Sequence, residues 1–170
     1  MRDEAFIRSE IRWLVDRGRV ALGLTESAVA GCTDEQIARI LEVQGVSELP
    51  PPLDELVRHA GVYANGTVLG ELVRGTGLGW DTMLFAKDHA RETAAAAGSD
   101  EAFGPERVVF CSDPGGTVLW LDAGRPDSPI WALTERTPSP QIAAPRLACW
   151  LEQHVVAAEV GFPTSEYWSG

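Results

Sequence analysis

The segment VVFCSDPGGTVLWLD, residues 108–122, constrains the fold of this chain more than any other part of the sequence. Two apolar runs, at 107–112 and 117–122, are joined by a short connection that contains Pro, Gly and Gly, which predicts a β-hairpin. Alternation places two sets of residues on opposite faces: Val108, Phe110, Val118 and Trp120 on one, and Val109, Cys111, Leu119 and Leu121 on the other. Because both faces are apolar, we expect the hairpin to lie centrally in a sheet that is covered on both sides.

An N-terminal helix is predicted over residues 3–17. The apolar residues that recur there at helical spacing are Ile7, Ile11 and Leu14. Gly18 and Gly23 are expected to end this helix, since glycine is typical of helix C-termini.

Two further helices are predicted before residue 62. Thr33 and Gln36 have the spacing of a capping box, which predicts the start of a helix that Gly45 ends. The three prolines at 50–52 prevent this helix from continuing, but proline is tolerated in the first turn of a new helix. A short helix is therefore predicted after them, with its end at Gly61.

The remaining elements define the fold class. Residues 62–79 predict one short strand and a loop, and Asp81 is expected to cap a helix over residues 82–96 that ends at Gly98. After the hairpin we predict a third strand at 129–134, a linker in TPSPQIAAP and a closing helix at 145–158. Because the strands are clustered and joined by hairpins, the order predicts an α+β fold, in which a mainly antiparallel sheet packs against helices.

The chain is strongly acidic, with 25 acidic residues, 14 basic residues and a net charge of -11. Nucleic-acid affinity begins with cationic contacts to phosphate, so direct binding to nucleic acid is disfavoured and a basic protein partner is favoured. No apolar stretch approaches the roughly 20 residues of a membrane helix. The charged N-terminus also lacks the apolar core of a secretion signal, so we predict a cytoplasmic protein that does not bind membranes.

The glycine-rich segment RGTGLGWD, residues 74–81, is the most suggestive candidate for a ligand-binding loop. Its glycines, Gly75, Gly77 and Gly79, do not have the spacing of a dinucleotide-binding or P-loop motif, and no clear βαβ unit surrounds them. A surface loop is therefore favoured over a phosphate site.

No residue set with the chemistry of a catalytic or metal site stands out. The histidines, which lack the spacing of a zinc motif, are His59, His89 and His154. The cysteines, which form no CxxC pair and are expected to be small buried side chains, are Cys32, Cys111 and Cys149. We therefore predict a protein that is not an enzyme and uses no cofactor or metal.

Several segments together carry a resemblance to a known family. The first is TDEQIARILEVQG followed by ELPPPLDELVRHAG, with Glu42, Gly45, Leu49-Pro50 and Gly61. The helical segment WDTMLFAKDHARETA comes next, and the hairpin VVFCSDPGGTVLWLD follows it with Gly116 and Asp122. The strand segment DSPIWALTE and a last helix with Trp150-Leu151 complete the set. In this order they resemble the SMI1/KNR4 family of the SUKH superfamily. The resemblance divides the chain into a helical extension at 1–32, an SMI1/KNR4-like domain at 33–158 and a tail at 159–170.

The resemblance implies that the protein acts by binding another protein. Many bacterial members are immunity proteins that neutralise a toxin encoded nearby, and others are regulatory interaction proteins. We therefore predict an immunity protein whose toxin has a basic cleft. The alternative is a cytoplasmic regulatory or scaffold interaction protein, and a third hypothesis is an enzyme or nucleotide binder that uses the glycine-rich loop. The oligomeric state stays open. The predicted contact residues are Asp100, Glu101, Asp113, Asp127 and Trp80.

Overall fold

The computed structural model describes residues 3–74, 77–113 and 115–161. The α-helices in these residues are α1 Glu4–Ala21, α2 Asp34–Gln44, α3 Pro51–Ala60, α4 Val68–Leu72, α5 Trp80–Met83, α6 Ala86–Ala97 and α7 Leu147–Glu159. The strands are β1 Gly77–Leu78, β2 Arg107–Ser112, β3 Thr117–Asp122, β4 Ile130–Thr134 and β5 Thr137–Ala144. Each strand pairs antiparallel with the next along the chain, in the order β1-β2-β3-β4-β5. This confirms the predicted α+β fold with an antiparallel meander.

Helix α1 is longer than predicted, because Gly18 lies inside the helix and does not end it. A Cβ at Gly18 would lie 3.3 Å from the side chain of Leu72 and 3.4 Å from that of Val155. The glycine therefore allows α4 and α7 to approach α1 closely. Gly23 follows the helix in the left-handed conformation, with φ 67°. Helix α1 packs against α3 and α7 within the main core, and the predicted domain boundary after residue 32 stays a prediction.

Helices α2 and α3 begin and end where the sequence predicted. The hydroxyl of Thr33 accepts a hydrogen bond from the Gln36 N–H at 3.2 Å, and the Gln36 side chain accepts one from the Thr33 N–H at 2.8 Å. This capping box satisfies backbone donors that a helix N-terminus leaves unpaired. Gly45 ends α2 with φ 66°, and α3 runs from Pro51 to the residue before Gly61.

The strand expected from the apolar residues early in 62–79 is wrong, since Val68–Leu72 form helix α4. The Thr67 hydroxyl accepts a hydrogen bond from the Gly70 N–H at 3.2 Å and caps the helix. The short strand of this segment, Gly77–Leu78, comes later and pairs with the end of β2.

The helix predicted over 82–96 is two helices, α5 and α6. Phe85, with φ -123° and ψ -6°, interrupts the helical conformation between them. Asp81 does not cap a helix at residue 82, because it lies within α5 and its carboxylate accepts from the neighbouring Thr82 N–H at 2.9 Å. Gly98 ends α6 as predicted, with φ 67°.

The central hairpin is buried on both faces, as predicted, but a β-bulge changes which residues share a face. The register shifts between Val109 and Cys111, and Val109 pairs with Trp120. These two residues and Val118 lie in a smaller core between the sheet and α6. The hairpin residues in the main core, on the opposite face, are Val108, Phe110, Cys111, Leu119 and Leu121. The prediction that Val108 and Phe110 share a face with Trp120 is therefore wrong, because the extra residue of a bulge breaks strict alternation.

The segment TPSPQIAAP is not a linker, because residues Thr137–Ala144 form β5. Among the described residues β5 pairs with β4 alone, so it is an edge strand of the sheet. Pro138 and Pro140 have no N–H to donate, and an edge strand tolerates this loss. The predicted third strand and closing helix are confirmed as β4 and α7, whereas residues 162–170 of the predicted tail lie outside the described residues.

Candidate protein-binding surface

One end of the sheet gathers carboxylates from two loops. The first loop connects α6 to β2 and the second connects β3 to β4, and the Ala123 N–H donates to the Glu106 carbonyl at 2.9 Å to join them. Residues 99–107 and 122–129 carry five carboxylates and two arginines. We call this surface the acidic end; its carboxylates belong to Asp100, Glu101, Glu106, Asp122 and Asp127.

A buried aromatic side chain holds the first of these loops in place. Phe103 is fully buried, and its ring meets that of Trp120 edge to face, with 5.0 Å between ring centroids and an interplanar angle of 83°. Phe103 also has φ 46°, a left-handed conformation that costs free energy in a residue other than glycine. The buried ring and the strained backbone therefore occur at the same residue, and such strain is typical of loops whose shape serves a function.

The carboxylates of the acidic end differ in how they are neutralised. Arg107 contacts the carboxylates of both Glu101, at 3.3 Å, and Asp122. Arg125 lies 3.4 Å from the second oxygen of Asp122. Asp100 and Glu106 are exposed and lie within 4.0 Å of no basic side chain among the described residues. The surface therefore keeps an excess of negative charge that a basic partner can neutralise.

The predicted contact residues do not all lie together. Asp100, Glu101 and Asp127 belong to the acidic end, where Asp100 and Asp127 are exposed and Glu101 is largely covered by its ion pair. Asp113 lies at the opposite end of the sheet, since β2 ends just before it. Its carboxylate accepts from the Thr117 N–H at 3.1 Å and holds the hairpin turn, so the position of Asp113 does not support the contact that was predicted for it.

Trp80 also lies apart from the acidic end. Its side chain is half-buried against the main core, and its backbone N–H donates to the Gly61 carbonyl at 3.1 Å. The nearby glycines serve packing as well: Gly77 pairs with Ser112 in the sheet, and Gly79 is buried with φ 143°. The surface-loop prediction is therefore wrong for these two glycines, while Gly75 lies outside the described residues.

Sequence reasoning missed Glu106 and Asp122, two carboxylates of the acidic end. Both flank the ends of strands that were predicted with nearly correct bounds, since β2 begins at Arg107 and β3 ends at Asp122. The start of one hairpin strand and the end of the other must lie side by side. The predicted hairpin therefore already indicated that Glu106 and Asp122 lie close together.

The described residues contain no group of three or more His, Cys, Asp or Glu side chains placed to hold a metal ion. Cys111 is buried as predicted, whereas Cys32 and Cys149 are half-buried. Burial raises the pKa of the Cys32 thiol to about 11, which keeps it protonated and a poor nucleophile near neutral pH.

His154 is a buried core residue, and its burial predicts a pH-dependent stability. It is 4 % exposed and meets Trp150 edge to face, with 4.5 Å between ring centroids. Burial lowers the pKa of His154 to about 4, from an ordinary value of 6.5. Between pH 6.5 and about pH 4, His154 is protonated in the unfolded chain but neutral in the folded chain. The free energy of unfolding therefore decreases as the pH falls through this range.

We expect the free energy of unfolding to fall by about 2 kcal/mol between pH 7.5 and pH 5 through this histidine alone. Urea unfolding at a series of pH values measures the loss. His154→Phe keeps a ring against Trp150 but carries no titrating group, so its stability is expected to change less over the same range. Equal losses in the two proteins would show that His154 is not the group responsible.

No known protein-family model and no curated protein matches this chain. The resemblance to the SMI1/KNR4 family therefore stays a prediction that rests on the motifs quoted above. In the described part of the chain, no helix combines the length and apolar character that crossing a lipid bilayer requires.

Proposed function

We propose that this protein binds another protein through the acidic end and that the partner is a bacterial toxin with a basic cleft, which it neutralises. The observation that carries the proposal is the excess of carboxylates on two loops that are joined to each other and held by Phe103. A preformed surface of this kind loses little conformational entropy when a partner binds.

The charge of the whole chain supports the same proposal. A net charge of -11 attracts a basic partner at long range and accelerates association, and the acidic end directs the final approach. The toxin part of the proposal rests on the resemblance to SMI1/KNR4 proteins, since an acidic surface alone suits any basic protein. Neutralisation needs no chemistry from this chain: covering the toxin's cleft is sufficient.

The test is co-expression with the product of the adjacent gene, followed by co-purification and measurement of the dissociation constant. The test variant replaces three carboxylates of the acidic end by amides: Asp100→Asn, Glu106→Gln and Asp127→Asn. A matched control removes the same charge from three exposed positions elsewhere: Glu26→Gln, Glu48→Gln and Glu92→Gln. Equal changes in net charge separate the effect of the surface from that of the whole chain.

We expect the test variant to weaken binding at least about 10-fold, mostly through slower association, and the control variant to weaken it less than about 3-fold. Cells that carry the toxin should survive with the control variant and die with the test variant. Equal effects of the two variants would contradict the assignment of the acidic end. A stable complex with a cellular protein other than a toxin would contradict the immunity role and favour a regulatory or scaffold protein.

A further inference from the structure

A second exposed surface lies on helices α1 and α7, which pack against each other. On α1, Phe6, Trp13 and Val20 recur every seven residues and are 55 %, 55 % and 66 % exposed. Val156 on α7 and Val160, the residue that follows the helix, are 42 % and 62 % exposed. We call this surface the α1–α7 face. Its apolar side chains are exposed, and they lie apart from the acidic end.

Contacts between the two helices place Trp13 and Val20 beside a common seam. Arg17 donates two hydrogen bonds, both of 2.7 Å, to the carboxylate of Glu159, and its guanidinium also lies 5.2 Å from the centre of the Trp13 ring. A shallow groove of about 450 Å³ runs beside the seam, lined by Trp13, Val20 and Glu159 among others. The face therefore has an ion-paired seam with apolar residues along both sides.

The α1–α7 face differs from the rest of the molecule in its charge. Each of its carboxylates lies within 4.0 Å of an arginine nitrogen: Glu10 and Arg146 at 3.8 Å, Asp16 and Arg19 at 3.8 Å, Glu152 and Arg17 at 3.5 Å, and Glu159 and Arg17 at 2.7 Å. The excess charge of the chain therefore lies mostly elsewhere. A basic partner, which the acidic end attracts, would therefore gain little electrostatic binding energy from the α1–α7 face.

We propose that a second copy of this chain packs on the α1–α7 face, so that the protein is a two-fold symmetric dimer. Two chains that each carry a charge of -11 repel one another over most of their surfaces. They can approach closely only where the carboxylates are already neutralised and apolar side chains can be buried. A seven-residue apolar spacing is that of helices that pack side by side, and a two-fold axis brings the same face of both copies together.

This dimer goes beyond the proposed function, and the two surfaces have opposite salt dependence. Added salt screens the repulsion between two acidic chains, so it strengthens the dimer. The same salt screens the attraction between the acidic end and a basic partner, so it weakens that complex. The dimer is also measured on the purified chain alone, so its failure and the failure of the proposed function are distinguishable.

The experiment is sedimentation equilibrium of the full chain over a range of concentrations, at low and high salt. We expect a mass that approaches twice the 18.4 kDa of one chain, with a dissociation constant that falls as salt is added. Trp13→Glu and, separately, Val160→Glu remove an apolar side chain from the interface and add a carboxylate to it. Each is expected to raise the dissociation constant at least about 10-fold.

Phe85→Glu is the matched control, since Phe85 is 56 % exposed but lies between α5 and α6, away from the proposed interface. Circular dichroism checks that each variant folds. If one of the two interface variants does not fold, the other is enough to test the interface. A monomer at every concentration and salt would overturn the proposal, as would a dimer that Phe85→Glu weakens as much as Trp13→Glu. A monomer that forms a dimer only after removal of residues 162–170 would instead assign this face to the chain's own C-terminus, and would also overturn the proposal.

Discussion

We expect Gln44→Leu to lower the free energy of unfolding by about 4 kcal/mol, because it leaves three buried backbone groups without a partner. Gln44 ends α2 and is 1 % exposed. Its side-chain NH₂ donates to the carbonyls of Met83 at 2.7 Å and Val109 at 2.9 Å, and its Oε1 accepts from the Val109 N–H at 3.1 Å. Strand β1 pairs with β2 only at Cys111 and Ser112. At Val109 the Gln44 amide therefore makes the hydrogen bonds that a neighbouring strand would otherwise make. Leucine fills a similar volume but satisfies none of these groups.

Urea unfolding followed by tryptophan fluorescence measures the effect. Gln141→Leu makes the same chemical change at an exposed position of β5, and we expect it to alter stability by less than about 0.5 kcal/mol. A loss below about 1 kcal/mol at Gln44 would contradict the description of its amide as the partner of β2.

Local patterns predicted most of the fold because they act within a few residues. The capping box at Thr33, the left-handed glycines after α2 and α6, and the hairpin strands all depend on neighbours in the sequence. The errors occurred where distant residues decide the outcome. Gly18 continues α1 because Leu72 and Val155 pack over it, and β5 accepts its prolines because it lies at the sheet edge.

The acidic end was only partly predictable for the same reason. Charge and loop position indicated Asp100, Glu101 and Asp127, but the same rule also selected Asp113, whose carboxylate holds a turn at the other end of the sheet. Phe103 was not predictable as the residue that fixes the loop, because its role depends on the ring of Trp120 in a strand farther along the chain. Charged residues can be identified from a sequence, whereas the contacts that position them form only in the folded chain.

Gly31 shows how a close approach of two backbone segments can be invisible in the sequence. The loop before α2 lies against the end of α3, where the Cys32 N–H donates to the Val57 carbonyl at 2.8 Å and the Val62 N–H donates to the Ala30 carbonyl at 2.9 Å. A Cβ at Gly31 would lie 1.8 Å from the carbonyl oxygen of Arg58. These hydrogen bonds hold the two segments together, so neither segment can move aside without breaking them.

Gly31→Ala is therefore expected to destabilise the protein by about 3 kcal/mol, the combined cost of overpacking and of hydrogen bonds lost between the loop and α3. Gly124→Ala is the matched control, because a Cβ there meets no atom within 4 Å. We expect the control to leave stability unchanged within about 0.5 kcal/mol. Thermal and urea unfolding of both variants measure the difference. Equal stabilities of the two variants would contradict the close approach of the loop to α3.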